Sequence, residues 1–268
     1  MKENELANYA KVALDLAYEG GAVLKQFWGN LSDIRDKELV GDLVTEADQE
    51  SERRIIALLQ RTYPAHSVLA EESGSHSGQS ADFLWVIDPL DGTINYAHQY
   101  PVVSVSVALV YQGQPIVGVV YNPIQEELFQ ASRGGGATLN GQPIHVSTIK
   151  VLGKSLLSTG FPYDRLQNPD NNYAEFCRLT DLTLGVRRPG SAALDLAYVA
   201  AGRFDGYWER GLKPWDMAAG ILLVQEAGGR VTAYDESPYD LYEQRVLASN
   251  GLVHKAISEE LVTISKRK

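Results

Sequence analysis

Cysteine is almost missing: Cys177 is the one thiol in 268 residues. It cannot close an intrachain disulfide, which excludes a small crosslinked scaffold of an oxidising compartment. Long apolar runs are missing too. No stretch approaches the roughly 18 to 20 residues that a membrane helix needs. The first ten residues, MKENELANYA, are charged and polar and offer no apolar segment for a secretory leader. Positive charge is scarce, with 24 Lys plus Arg against 34 Asp plus Glu and a net charge of −10. That balance argues against a basic nucleic-acid footprint as the main function. No internal repeat and no Pro- or Ser-rich linker interrupts the chain. With 44% hydrophobic and 22% charged residues, the composition is that of a globular protein rather than a disordered one. At roughly 150 residues per domain the length fits between one and two domains. The expectation is an acidic, cytoplasmic protein able to bury a sizeable core.

The most informative shortage is local. Between Arg61 and Arg133 there is no Lys or Arg, while Glu71, Glu72, Asp82, Asp88, Asp91, Glu126 and Glu127 all fall there. Asp88 directly follows the apolar run Phe83-Leu84-Trp85-Val86-Ile87. A buried carboxylate without a partner is costly. It must be protonated, paired with a distant base, or neutralised by a metal, and hard oxygen ligands suit Mg²⁺, Mn²⁺ or Ca²⁺ rather than zinc. Asp82, Glu126 and Glu127 read as solvated loop acids. Asp88-Pro89-Leu90-Asp91-Gly92-Thr93 differs. Pro89 stiffens the strand exit, and Gly92 permits a turn that other residues resist. Two carboxylates three residues apart on such a turn can converge on one point. Amides near Gly92 and Thr93 can cradle an anion, especially where a helix begins. From the residues alone, the segment is either a capped loop or a metal site.

Periodicity supplies the frame. Residues 3–29 read as an amphipathic helix carrying Leu6, Ala10, Ala13, Leu14, Ala17 and Leu24, interrupted by Gly20-Gly21, which costs helix stability but permits close packing. Residues 33–41 read as a mobile loop. Thr45 to Asp48 resembles a capping box before a helix bearing Ile55, Ile56, Leu58 and Leu59, which ends at Tyr63-Pro64. Strands are expected at 68–70, 83–87, 102–111 and 116–121, with a hairpin at 112–115, a third adjacent strand at 127–131 and a turn at Asn140-Gly141. From about residue 146, helices at 172–182, 191–201, 214–227 and 253–264 alternate with strands at 205–209, 231–233 and 246–248. Pro214 fits a first helical turn, and Gly228-Gly229 a helix end. The expected fold is a helix pair, an antiparallel sheet and an α/β half. Residues 1–145 would form an α+β half carrying the 88–93 loop. Residues 146–268 would form an α/β half supplying Asp216 and the substrate pocket, the two packed as one compact unit.

Other candidates have plain readings. His66, His76, His98, His145 and His254 share no metal-like spacing and read as surface or structural. Cys177 reads as a packed apolar residue rather than a nucleophile. Asp195 falls inside a helix as a cap or ion-pair partner. Trp208 and Trp215 fit core packing or an interface as well as a pocket wall. Arg187-Arg188 is either a solvated pair or a contact to a second phosphate or subunit.

Six segments, in order, resemble the inositol monophosphatase family: Asp42 to Asp48, Glu71-Glu72-Ser73, Trp85 to Thr93, Gly190 to Asp195, Gly206 to Glu209, and Trp215 to Gly229. The resemblance covers roughly residues 5 to 265. It implies an αβαβα layered sandwich of the inositol monophosphatase and sugar phosphatase type, Mg²⁺-dependent phosphomonoester hydrolysis, and commonly a homodimer. It places Glu71, Asp88 and the Leu90 carbonyl on a first metal, and Asp88, Asp91 and Asp216 on a second. A third, weaker ion would touch Glu71 through water, and Mn²⁺ is a substitute. Asp48 and Thr93 would orient the attacking water, Gly92 and Thr93 would offer amides to the phosphate, and Lys37 would help order the metals. Gly190, Ser191, Ala192 and Glu209 would line the alcohol end of the pocket, with Asp91 and Asp216 also near the substrate. Lys37 has a plainer reading as a solvated loop lysine, and Glu72 as a neighbour of the ligands. The chemistry suits these residues. An acidic protein can bind an anionic phosphate only if metals reverse the local sign, and two ions about 3.5 to 4 Å apart can clamp an in-line displacement. No Ser, Cys or His nucleophile is needed.

The expected activity is hydrolysis of inositol 1-phosphate, a small phosphorylated polyol, with lithium sensitivity of the family kind. The alternatives are fructose-1,6-bisphosphatase, alone or as a dual activity, and histidinol or 3′-phosphoadenosine phosphatase. A protein-contact role resembling that of bacterial relatives acting on the transcription machinery is a second class, without direct nucleic-acid or membrane binding. A structural Ca²⁺ site is a third.

Overall fold

The computed structural model describes residues 3–37 and 42–265. Its elements, in order, are α1 (Glu3–Phe27), β1 (Ile34–Asp36), β2 (Leu43–Thr45), α2 (Glu46–Thr62), β3 (His66–Ala70), β4 (Gly74–His76), β5 (Ser80–Asp91), α3 (Thr93–Ala97), β6 (Ser104–Tyr111), β7 (Gln114–Asn122), β8 (Glu127–Ser132), β9 (Gly136–Leu139) and β10 (Gln142–Pro143). A short 3-10 turn (Leu152–Lys154) follows. After it come β11 (Leu156–Thr159), α4 (Tyr173–Leu182), β12 (Gly185–Arg187), α5 (Ala192–Ala200), β13 (Gly206–Arg210), α6 (Pro214–Glu226), β14 (Arg230–Thr232), β15 (Arg245–Ser249) and α7 (His254–Ser265).

Side-chain alternation along the strands sorts these elements into five layers. Trp85, Ile87, Val105, Val107 and Val119 pack with Leu16, Leu24, Ile55 and Leu59 of α1 and α2. Their neighbours Val86, Ala108 and Val120 point the other way, onto Leu194, Ala197, Ala218 and Leu222 of α5 and α6. The far side of those helices meets Tyr207, Val246 and Ala248 of the second sheet. Trp208 and Leu247, one residue out of phase, face Leu179, Ile257 and Leu261 of α4 and α7. The order is therefore αβαβα, as the family resemblance implies. The first sheet has eight strands in the order β10-β9-β8-β7-β6-β5-β3-β4, and the second five, β12-β11-β13-β15-β14.

Two expectations need correction. The first sheet is not wholly antiparallel, since β3 and β5 run parallel. The segment read as a mobile loop starts as strand β1, paired with β2 (Ile34↔Thr45, Asp36↔Leu43); its residues 38–41 lie outside the described part. Gly20-Gly21 does not break α1. It lets that helix approach its neighbours, because a Cβ at Gly21 would lie 2.5 Å from the Tyr121 ring and one at Gly20 2.8 Å from Ile55. Among the described residues no helix is long and apolar enough to cross a membrane.

The histidines are structural or exposed. His98 and His145 are exposed. His66 stacks on Phe83 with centroids 4.6 Å apart and accepts the Trp85 indole N–H. His254 is wholly buried, between the hydroxyls of Thr232 and Ser249, each 2.8 Å away. Burial pushes its pKa down to about 4. The unfolded chain takes up this proton below about pH 6.5, whereas the folded chain resists it until about pH 4. Stability is therefore lost as pH falls across that window. Urea unfolding of His254→Gln and the parent at a series of pH values should show the difference between their stabilities changing there and staying constant above about pH 7.

Candidate active site

Asp88 and Asp91 are three residues apart, so a regular strand would send them to opposite faces. The pairing of β5 with β6 resolves this. Asp88 faces Ser106 and Asp91 faces Ser104, so that Pro89 and Leu90 of one strand lie against Val105 alone of the other. The extra residue is a bulge containing Pro89, a position where the missing N–H does no harm. It brings both carboxylates to the side of the sheet covered by α5 and α6. The Leu90 N–H donates to Asp88 Oδ1 (3.0 Å), and Ser51 Oγ to the Pro89 carbonyl (3.0 Å).

The other acids arrive from different elements. Glu71 follows β3, the parallel neighbour of β5, and its N–H reaches the Ile87 carbonyl (3.2 Å). Glu52 of α2 anchors this corner by accepting the N–H groups of Glu72 and Ser73, both at 2.8 Å. Asp216 sits in the first turn of α6 and accepts the Lys213 N–H (2.6 Å). Pro214 occupies the first turn of that helix, as expected. Asp91 accepts from Ser191 Oγ (2.6 Å) and the Ala193 N–H (2.8 Å), at the start of α5. The positive ends of α5 and α6 thus both point at carboxylates, a favourable arrangement.

These residues line one pocket of about 270 Å³. Lys37, Glu71, Asp88, Leu90, Asp91, Gly92, Thr93 and Asp216 surround one end of it, and Gly190, Ser191, Ala192 and Glu209 also contribute. Gly92 has a φ of +90°, and a Cβ there would lie 2.9 Å from the Val102 carbonyl, so glycine is required. The helix beginning at Thr93 has only five residues, so the field at this turn comes from its first N–H groups rather than from a long dipole.

Enclosure raises the pKa of several acids. Asp88 is 1% exposed, and burial together with the charges of Glu71, Asp91 and Asp216 pushes it well above the ordinary carboxylate range. Asp216 is raised in the same way by burial, Glu71 and Asp91. Asp91 reaches about 6, burial outweighing the donors from Ser191 and Ala193. Lys37 is the local counter-charge, its ammonium lying 2.7 Å from Glu71 and 2.6 Å from Glu72. Burial works against the Lys37 cation, yet the two glutamates raise its pKa on balance. Among the described residues no trio of acids is closed into a metal cage. Protein donors hold each carboxylate instead.

Asp48 and Thr93 meet as expected, with the Thr93 hydroxyl 3.0 Å from Asp48 Oδ1 and 3.2 Å from the Leu90 carbonyl. Asp48 itself is wholly buried and does not line the pocket; it accepts the N–H and hydroxyl of Thr45 in the anticipated capping box. Burial lifts its pKa to about 7.

Residues that sequence reasoning underrated also appear. Arg188, exposed, and Tyr163 line the pocket. Asp195 lines it too, 1% exposed, with a pKa raised by burial, Glu209 and Asp91. Its place after the small residues Gly190 to Ala193 was the available signal. Trp215 lines the pocket, whereas Trp208 is core. Cys177 is exposed, not packed, because Phe176 and Leu179 carry the inward face of α4.

The family model described as the inositol monophosphatase family matches residues 5–267. The chain belongs to that family. An inositol-1-monophosphatase of Synechocystis sp. is 54% identical over 258 residues, covering 96% of this chain and 90% of that protein. A Nus factor SuhB of Pseudomonas aeruginosa is 49% identical over 220 residues, 81% of each. The solved inositol monophosphatase of Anabaena (Nostoc) sp. has a TM-score of 0.89 at 51% identity, with 97% of both chains covered. A solved IMPase/NADP phosphatase complexed with Mg²⁺ and phosphate has a TM-score of 0.82 at 26% identity, covering 96% of this chain and 95% of that one. The chain is a phosphoric monoester hydrolase.

The crowded acids have a consequence for stability. A carboxylate whose folded pKa is raised stabilises the fold below its unfolded value, near pH 4, and loses that contribution as pH rises through the folded one. In EDTA at neutral pH, Asp88→Asn should be more stable than the parent by about 1–2 kcal/mol, read from the urea midpoint. The gap should close as pH falls toward 4.

Proposed function

We propose that the chain hydrolyses the phosphate monoester of a small polyol, inositol 1-phosphate foremost, with water as the nucleophile and magnesium as cofactor. The observation that carries this reading is that one pocket is lined both by Glu71, Asp88, Asp91 and Asp216 with the Gly92–Thr93 turn, and by Glu209 and Asp195. Burial lifts Glu209 to about 7, moderated by the Tyr207 hydroxyl and by Arg188. These carboxylates can accept hydrogen bonds from ring hydroxyls, and Arg188 lines the same pocket.

The donor set fits the metal. Four carboxylates and the Leu90 carbonyl are hard oxygen ligands, and their mutual repulsion is what a small dication relieves. Glu71, Asp88, Leu90, Asp91 and Asp216 would hold two or three ions, Mn²⁺ being a substitute; the relative solved with Mg²⁺ and phosphate supports magnesium as the cofactor. Bound magnesium supplies Lewis-acid polarisation of the phosphoryl group and acidifies water. The chain's own groups do the rest. Thr93, its proton directed to Asp48, has a lone pair free to accept from the attacking water and so orients it. The Gly92 and Thr93 amides face the phosphoryl oxygens. Lys37 balances Glu71 and Glu72 before substrate arrives. A cytoplasmic homodimer acting without nucleic acid or membrane belongs to the same proposal.

A second reading, a protein-contact role, is favoured by relatives named Nus factor SuhB. It concerns surfaces outside the pocket and is separable from hydrolysis.

Phosphate release from inositol 1-phosphate, fructose 1,6-bisphosphate, histidinol phosphate and 3′-phosphoadenosine phosphate, with and without Mg²⁺, tests the assignment. Inositol 1-phosphate should be turned over fastest, and EDTA should abolish the activity. Faster turnover of the bisphosphate overturns the substrate ranking, and activity that persists in EDTA overturns the metal reading. Asp88→Asn should lower kcat/KM by about 10³-fold or more, equivalent to roughly 4 kcal/mol of transition-state stabilisation. A cellular phenotype that survives this substitution would support the protein-contact role.

A further inference from the structure

We propose that Gly160 and Tyr207 determine specificity by clamping the Glu209 carboxylate against the alcohol end of the pocket. The proposal rests on the reading above, in which Glu209 accepts hydroxyls of the substrate. Gly160 is buried and follows the last residue of β11. Its φ is not in the left-handed region, so its backbone does not itself call for glycine. The space does. A Cβ built at Gly160 would fall inside contact distance of Glu209 Oε1, Oε2 and Cδ. The carboxylate therefore lies directly against the Gly160 main chain. Tyr207, wholly buried, holds it further by donating its hydroxyl to Glu209 Oε2 at 2.5 Å.

Gly160 is itself fixed. The Asn172 amide donates to the Gly160 carbonyl (2.6 Å) and to Thr159 Oγ1 (2.8 Å), and its oxygen accepts the Trp208 indole N–H (2.7 Å). Asn172 is 3% exposed and sits at a φ of +68°, an uncommon conformation that this network sustains. Glu209 thus has a rigid wall on one side and a buried donor on another, and its acceptor oxygens are ordered before a substrate arrives. Such preorganisation raises affinity without adding contacts. It also keeps the acid in place against the nearby Asp195 and Asp91, whose like charges repel its own.

The test compares kcat/KM for inositol 1-phosphate with kcat/KM for 4-nitrophenyl phosphate, whose leaving group offers no ring hydroxyls to Glu209. In Gly160→Ala the clash is with the far end of a flexible side chain, so the carboxylate is displaced rather than the backbone. Tyr207→Phe removes the donor without adding an atom and carries the test should Gly160→Ala fold poorly. In each variant the ratio should fall by about tenfold or more, mainly through KM for inositol 1-phosphate. Glu209→Gln should lower the ratio similarly. The double variant Gly160→Ala/Glu209→Gln should be no worse than Glu209→Gln alone, since both act through one carboxylate. Equal losses on both substrates, or additive losses in the double variant, overturn the clamp. A fall in Glu209→Gln without one in Gly160→Ala or Tyr207→Phe overturns the clamp alone. An unchanged ratio in Glu209→Gln overturns the polyol reading and this proposal together.

Discussion

Repulsion among carboxylates held close together is the constraint around which this molecule is built. Asp88, Asp91 and Asp216 arrive from a bulged strand and the start of a helix, with Glu71 beside them at the end of the neighbouring strand. Left to themselves, four acids in a partly closed pocket would separate or stay protonated. The fold prevents separation by giving each a short, local donor. Backbone N–H groups hold Asp88, Asp91 and Asp216, and the Lys37 ammonium holds Glu71. None of these donors cancels the crowding, as the raised pKa values of Asp88, Asp91 and Asp216 record. Sites of function are where such local cost is expected.

The central layer makes the arrangement stable. α5 and α6 are covered by a sheet on each face, so their sequences are apolar nearly all round, and small residues such as Gly220, against Leu196, let them approach each other. Their starts open toward the pocket. The same helices that join the two sheets thus aim their amide ends at Asp91 and Asp216. Packing and electrostatics are satisfied by one placement.

The opposite end of the pocket follows another logic. Glu209 is directed by its immediate surroundings, Gly160 and Tyr207, rather than by a helix end. Asp195 stands near it, and beyond burial the like charge of Glu209 raises the Asp195 pKa further.

Much of this was legible along the chain. The capping box at Thr45 and Asp48, the turn at Gln112-Gly113, Pro214 at a helix start and the strand running into Asp88 depend on residues close in sequence, and local chemistry reveals them. Strands of two to four residues, β1, β4, β10, β11 and β12 among them, are too short to display a period and exist because a neighbour pairs with them. Cys177 was misplaced because the usual burial of a free thiol does not say which face of its helix is covered, and here that face carries Glu175 and Leu179. The identity of the acids and their order were properties of the sequence alone, since a carboxylate after an apolar run announces itself wherever the chain goes. That Asp88 and Asp91 face the same side, that Asp48 reaches the pocket only through Thr93, and that Gly160 exists to admit Glu209 were decided by tertiary structure. Each depends on a pairing register or a contact between segments distant in sequence, and no local pattern encodes such distances.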